Sequence, residues 1–362
     1  MRVGLLLEQL LAPVPGGTGR YSREIGAALA RTGAVEVDGW VAAHRDTTAA
    51  EVDGVGGPHR LRLPRRPLVA AWERGTGPGV PCDVVHAPTP LAPPRRRTPL
   101  VVTVHDAVPW THPSTLTPRG VRWHRRVVER AARDADLVVV PTHAVAAELR
   151  HHVRIAPDRL LVVGEGVSGE LDLPPDADAR AAAMDLPERF LLTVATLEPR
   201  KGLADLVRAL ADRAAPDVPL LCVGQPGWGD LASPEELAAQ VGLPPGRVRS
   251  LGRVPDADLA VLLRRATALV VPSRAEGFGL PLLEAMAVGT PVVASRAPSL
   301  VEVAGGAAVH VDVAGLPLAL REVVEDDAVR SRLRLAGPAR AAAFTWDGAA
   351  RLLVEAYRSL RA

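Results

Sequence analysis

The sequence has no asparagine and a single lysine, Lys201, beside 42 arginines. Whatever bias replaced lysine elsewhere spared this position, which marks it as a candidate for chemistry. Cysteine is nearly as scarce. Cys82 and Cys222 lie far apart, and neither belongs to a Cys-x-x-Cys pair or a Cys/His cluster. Neither a disulfide framework nor a zinc site is indicated, and a reducing compartment fits. Aromatic residues make up 3% of the chain, so the core has to rest on Leu, Val and Ala. No run reaches the roughly eighteen apolar residues that a membrane helix needs. The opening GLLLEQLLA could pass for a secretory core, but Glu8 and Gln9 interrupt it and it reads better as a first buried strand. A cytoplasmic protein is expected.

What is present points to two globular domains. The chain has 362 residues, of which 48% are hydrophobic and 23% charged, more than one ordinary core accommodates. Its net charge of +2 hides an asymmetry: residues 1–168 hold 22 arginines against 16 acids, and nine of the ten histidines. A basic first domain suits an anionic partner or surface.

Apolar, Val-rich segments alternate with helical patterns along both halves. Strands are expected at 2–7, 35–42, 84–87, 100–105, 137–140 and 160–163, with a helix over 19–31. Residues 168–188 lose this pattern and are rich in proline and acids, as a linker is. A second series follows, with strands at 190–195, 220–223, 248–251 and 268–271 and helices over 203–213, 234–241 and 256–265. Such alternation predicts parallel, doubly wound sheets whose ligands bind beyond the strand C-termini. The expected division is 1–168, a linker over 169–188, 189–340, and a C-terminal helix over 341–362, with a cleft between the two Rossmann-like domains.

Several stretches stand out within that frame. The densest is VPSRAEGFGLPLLEAMAVGTPVV, where a buried strand passes through a turn containing Glu276, Gly277, Phe278 and Gly279 into a short helix. Pro281 is tolerated in the first helical turn, and Gly289 stops the helix. Glycines at a helix start let backbone N–H groups approach an anion. Glu284 is the one charge on that otherwise apolar helix and needs a partner. Gly16 and Gly17 form an earlier strand-to-helix turn where free N–H groups could hold a phosphate. GGTGRYS lacks the last glycine of G-x-G-x-x-G, Ser22 standing there, which disfavours a nicotinamide fold and makes a dehydrogenase the least favoured reading. His105 in VVTVHD sits at an expected strand end, whereas His86 is read as structural. Basic patches lie at 60–66, at 95–97, and on the helix 119–133, where Arg119, Arg122, Arg126, Arg130 and Arg133 follow helical spacing. They lack interleaved aromatics, so nucleic acid is not expected. A solvated face, or contact with anionic lipid or a phosphorylated acceptor, remains open.

The pair Glu276 and Glu284 with GFGLP between them, followed by AMAVGTPVVAS, resembles the signature of retaining GT-B glycosyltransferases of family 4. GGTGRY, VHD, VPTHAV, LEPRKG, SLVEVAGGAA and FTW match the same family in order, so the resemblance covers nearly the whole chain. It implies an α/β GT-B fold with an N-terminal acceptor domain, a C-terminal donor domain, and a last helix crossing back to the first domain. It implies a nucleotide diphosphate sugar as co-substrate, of the GDP-mannose or UDP-glucose type, and a glycan, lipid-linked or small-molecule acceptor. Arg200 and Lys201 would take the diphosphate, where fixed positive charge meets developing negative charge. Glu276 would contact the sugar, with the N–H groups of Gly277, Phe278, Gly279 and Leu280 around it. Glu284 would hold the ribose, Gly16 and Gly17 would face the diphosphate, and His105 would meet the sugar. Retention would proceed by front-face attack, with the leaving phosphate helping to deprotonate the acceptor.

No metal-binding motif is read in the sequence, and the run Glu325, Asp326, Asp327 reads as solvated surface, so neither metal nor cofactor is expected. The sequence departs from many relatives at Gly202 and in GEGVS, where they carry asparagine, and at Thr196, where others have arginine. A non-catalytic GT-B partner subunit that binds nucleotide or glycan, and a sugar-nucleotide epimerase, are the alternative readings.

Overall fold

Short segments rich in Val and Leu form most of the central strands of two parallel sheets. The computed structural model describes residues 1–226 and 232–361. Positions 227–231 of the expected donor domain, residue 362 of the expected last helix and the side chain of Glu170 in the expected linker lie outside the described residues. The chain divides into two compact units, Met1–Glu165 with Thr345–Ala362, and Gly166–Phe344.

The first unit contains β1 (Arg2–Leu6), β2 (Glu36–Val41), β3 (Gly56–Arg60), β4 (Val84–Ala87), β5 (Leu100–Thr103), β6 (Leu137–Val140) and β7 (Leu160–Val162). Their order is β3-β2-β1-β4-β5-β6-β7, with every pairing parallel. All positions of β4, β5 and β6 are buried and, apart from His86 and Thr103, apolar, the mark of a sheet covered on both faces. Leu6, Leu68, Trp72, Val102, Val128 and Leu149 are among the core residues. Each such side chain, once buried, contributes about 1.5–3 kcal/mol.

The second unit repeats the winding with β8 (Leu191–Val194), β9 (Leu220–Val223), β10 (Val248–Gly252), β11 (Ala268–Val271), β12 (Val292–Ala294) and β13 (Val309–His310). Their order is β10-β9-β8-β11-β12-β13, again all parallel. Counted from its first strand, the second sheet runs 3-2-1-4-5-6, the doubly wound Rossmann order, and the first runs the same way with a seventh strand added. The order reverses between β1 and β4 and between β8 and β11. At such a reversal the loops leaving the two strands part to opposite faces and open a crevice at the sheet edge, where ligands bind.

Local chemistry sets the helix boundaries. Thr117, Thr142 and Thr345 accept hydrogen bonds from the first turns of their helices, and Ser233 forms a reciprocal capping box with Glu236. Asp326, read as part of a solvated acidic run, caps the helix Asp327–Ala341. The last helix, Trp346–Ser359, belongs to the first unit, as the sequence led us to expect. Within that unit Asp347 pairs with Arg31 at 2.8 Å, Tyr357 bonds His86 at 2.6 Å, and Arg361 meets Asp83 at 3.1 Å.

Some boundaries differ from the sequence reading for physical reasons. The first helix begins at Gly16, not Gly19, so the glycine pair forms its first turn. The helix after β8 ends at Leu210. β3 was missed because GGPHR is a largely exposed edge strand without an apolar alternation, and β12 and β13 are too short to show a period. The 169–188 segment contains a helix, Ala177–Ala183, held by the Arg180–Asp258 ion pair at 2.8 Å. Among the described residues, no helix is long and apolar enough to cross a membrane.

Candidate active site

The two loops that leave the second sheet at its reversal carry a buried ionic cluster. After β8 the chain closes in a single turn, Pro199–Lys201, and enters the next helix through Gly202 at φ 71°. A Cβ at Gly202 would lie 2.2 Å from the carbonyl oxygen of Pro272, in the loop after β11. Only glycine lets the two loops come this close. Arg274 N–H donates to the Arg200 carbonyl at 2.8 Å and locks them together.

That contact brings together residues 75 positions apart. Lys201 Nζ donates to Glu276 Oε1 at 2.6 Å and Arg200 Nη1 to Glu276 Oε2 at 3.3 Å. Ser273 Oγ adds a third bond to Glu276 at 2.7 Å, and the Arg200 Nε–H is taken by Glu198 at 2.9 Å. All four charged groups are largely buried, with side-chain exposures of 16% for Arg200, 15% for Lys201, 10% for Glu276 and 6% for Glu198. Burial works to raise the Glu276 carboxyl, but the charges of Lys201 and Arg200 override it and bring its pKa down to about 2. Burial lowers Lys201, with Glu276 opposing, and raises Glu198, with Arg200 and Lys201 opposing. The result is a preformed patch of two cations whose charge is balanced by two carboxylates.

The helix Leu280–Ala287 starts directly behind this cluster. Gly279, at φ 96°, is its N-cap, and a Cβ there would meet Leu300 Cδ2 at 2.4 Å. The side chains of Phe278 and Leu280 are buried, Phe278 edge-on against Phe344 with 5.5 Å between centroids, so these residues offer a ligand only backbone. The first N–H groups of a helix have no intrahelical acceptor and are suited to an anion. Glu284 lies one turn further, 3% exposed. Behind Ser273, its carbonyl accepts from Ser295 Oγ at 2.5 Å, and the Ser295 carbonyl lies 2.9 Å from His310 Nδ1, so the ends of β11, β12 and β13 are tied together.

In the first unit His105 lies just past β5. Its Nε2 is 2.8 Å from the Pro88 carbonyl and its Nδ1 is 3.5 Å from Glu165 Oε1, with the Tyr21 ring edge-on at 4.7 Å. His86 is fully buried between Tyr357 Oη at 2.6 Å and Thr103 Oγ1 at 2.9 Å; Thr103 in turn meets Tyr21 Oη at 3.2 Å. Burial, with a smaller contribution from His105, pushes His86 down to about 3, and it stays neutral, as befits the structural role read for it. At Gly16 and Gly17 no heavy atom lies within 4 Å of where a Cβ would sit, so both approaches are open among the described residues.

The structure thus brings Arg200, Lys201 and Glu276 into direct contact, with Gly277, Phe278, Gly279, Leu280 and Glu284 following on the same segment. His105, Gly16 and Gly17 belong to the other unit. Sequence reasoning missed Glu198, Ser273 and Glu165. Glu198 stood within LEPRKG, but nothing in a lone glutamate or serine signals which side chain it meets. The basic patches are partly structural: Arg95 pairs with Asp136 at 2.6 Å and Arg130 with Asp134 at 3.3 Å, while Arg119, Arg122 and Arg126 are exposed.

Known proteins resemble this chain in both of its halves. The model of the glycosyl transferases group 1 matches residues 176–339, and that of Glycosyltransferase Family 4 matches residues 15–170. O-antigen chain mannosyltransferase B of Escherichia coli is 30% identical over 282 residues, covering 74% of this chain and 72% of that protein. A D-inositol 3-phosphate glycosyltransferase of Nocardioides sp. is 35% identical over 257 residues, covering 65% of this chain and 56% of that protein. The chain therefore spans little more than half of this second relative. Sucrose-phosphate synthase from Thermosynechococcus elongatus superposes with a TM-score of 0.78 at 25% identity over 99% of both chains. Anabaena HepE, solved in complex with UDP-glucose, shares the fold with a TM-score of 0.75 at 20% identity, over 99% of this chain and 100% of its own.

Proposed function

The chain belongs to glycosyltransferase family 4, whose group 1 module fills its second half, and is a glycosyltransferase; from this we propose that it moves a hexose from a nucleotide diphosphate sugar to an acceptor hydroxyl with retention at the anomeric carbon. The observation that carries the proposal is the Arg200–Lys201–Glu276 cluster at the reversal of the second sheet. A diphosphate brings negative charge that Lys201 and Arg200 can take over from Glu276, which leaves that carboxylate to accept hydrogen bonds from sugar hydroxyls. The backbone N–H groups at the start of helix Leu280–Ala287 add to the same anion site, and Glu284 is the candidate for the ribose hydroxyls. As the sugar departs from the diphosphate, charge grows on the phosphate oxygens, and the buried cations stabilise that state more than the ground state.

Two cations and a helix start supply the charge complementarity that a metal ion supplies in other transferases, which supports a metal-independent reaction; transfer unaffected by EDTA is the expected result. Mannose and glucose donors are the leading candidates, with GDP-mannose first, and the acceptor is a glycan, a lipid-linked or a small-molecule hydroxyl. The exposed Arg119, Arg122 and Arg126 support a peripheral contact with anionic lipid, to be tested by co-sedimentation with phosphatidylglycerol vesicles.

The test is thermal unfolding across a panel of nucleotide sugars, nucleoside diphosphates and monophosphates. A ligand at 100 times its Kd stabilises by about 2.7 kcal/mol. Diphosphates of one base should raise the midpoint well above the matching monophosphates, and the matching donor should then transfer its sugar. Binding without any transfer or donor hydrolysis would favour the partner-subunit reading, and a product formed without acceptor would favour an epimerase.

A further inference from the structure

The environment of His105 assigns it a protonation state, and through it a role to Glu165. Nε2 lies 2.8 Å from the carbonyl oxygen of Pro88, a group that can only accept, so this nitrogen carries a hydrogen. Nδ1 lies 3.5 Å from Glu165 Oε1, and an ionised carboxylate also only accepts. Were Nδ1 bare, its lone pair would face a carboxylate in a site where Glu165 is 5% and His105 14% exposed by side chain. Such an arrangement leaves two buried acceptors opposed, whereas a second hydrogen on the ring turns it into a buried ion pair.

The other neighbours do not disturb this. His86, on β4, is held neutral by burial and adds no charge. Tyr21 presents the edge of its ring, and its hydroxyl is engaged by Thr103. Asp106, the next residue, acts in the same direction as Glu165. Burial pulls the His105 pKa down, but Glu165, the Pro88 carbonyl and Asp106 together leave it raised above its ordinary value.

We propose that Glu165 is a positioning residue that keeps His105 as an imidazolium with both N–H bonds directed at protein acceptors, so that His105 serves the reaction as a fixed charge and not as a base. Where the protein's activity is concerned, this rests on the glycosyl-transfer reading above. The state of the ring does not, and can be measured apart from it. The sequence GEGVS, which sets this chain apart from many relatives, then supplies a carboxylate where the imidazolium needs one.

The test is ¹⁵N NMR of the full chain labelled in histidine, with the His105 signals identified by their absence in His105→Gln. At pH 7 the wild type should show both His105 nitrogens protonated. In Glu165→Gln the ring should titrate at lower pH and show one unprotonated nitrogen at pH 7, and Glu165→Asp should restore the doubly protonated form. A wild-type His105 with one bare nitrogen at pH 7 overturns the proposal, whether or not the variants fold. An unshifted titration in folded Glu165→Gln also overturns it. A wild-type protein that transfers no sugar but gives the expected spectra refutes the activity and leaves the assignment standing.

Discussion

Replacing Glu276 by glutamine tests the ionic cluster most sharply, because it keeps size and shape and removes one charge. In the wild type that carboxylate accepts from Lys201 at 2.6 Å, Ser273 at 2.7 Å and Arg200 at 3.3 Å. A carboxyl brought from 4.5 to about 2 is worth roughly 3 kcal/mol at 1.36 kcal/mol per pKa unit. Removing one partner of a buried pair independently suggests about 3–5 kcal/mol. The lower figure is expected, since Glu198 still balances Arg200 and the amide oxygen of glutamine still accepts from Lys201. The sign of the pH dependence follows from a depressed folded pKa. The stabilisation is present above the unfolded value of 4.5 and is lost as pH falls through about 2. Urea unfolding of wild type and Glu276→Gln, followed by circular dichroism, should give a gap of about 3 kcal/mol at pH 7 that is still there at pH 5 and closes towards pH 2. A gap under about 0.5 kcal/mol at pH 7, the size of an ordinary surface substitution, would refute the reasoning, and so would one that ignores pH.

Gly202→Asn keeps a residue type that tolerates positive φ, yet its Cβ would lie 2.2 Å from the Pro272 carbonyl. Forcing the loops apart should cost about 1–3 kcal/mol and weaken nucleoside diphosphate binding, measurable by calorimetry; binding at wild-type strength would contradict the close approach. Tyr357→Phe strips the 2.6 Å hydrogen bond from buried His86 and should lower stability by about 1–3 kcal/mol in thermal unfolding. An unchanged midpoint would mean that this bond does not anchor the last helix.

Much of this architecture was legible because burial imposes a simple pattern. Strands such as LVVV and ALVV are apolar throughout, since both faces of each sheet are covered, and they alternate with amphipathic helices. Edge elements escaped the same logic. GGPHR is a largely exposed edge strand with no apolar alternation, and the two-residue β13 has no period to detect. The site divides along a similar line. Arg200, Lys201 and Glu276 could be singled out by composition and motif, but their direct pairing depends on Gly202 lying against Pro272, a contact across 70 positions that no local pattern encodes. Glu198, Ser273 and Glu165 act only through what they touch, so their roles emerged with the fold. The acidic run at 325–327 is exposed, as read from the sequence, and Asp326 within it also caps a helix.

The central claim is that buried positive charge at Lys201 drives departure of a nucleoside diphosphate. The most direct measurement is the rate of diphosphate release from the matching nucleotide sugar, with acceptor present, by wild type and by Lys201→Ala of verified fold. Loss of one preorganised electrostatic contact lowers turnover roughly 10²–10³-fold. A drop of that order, with EDTA leaving the wild-type rate unchanged, is the result predicted here; turnover by folded Lys201→Ala at the wild-type rate would contradict it.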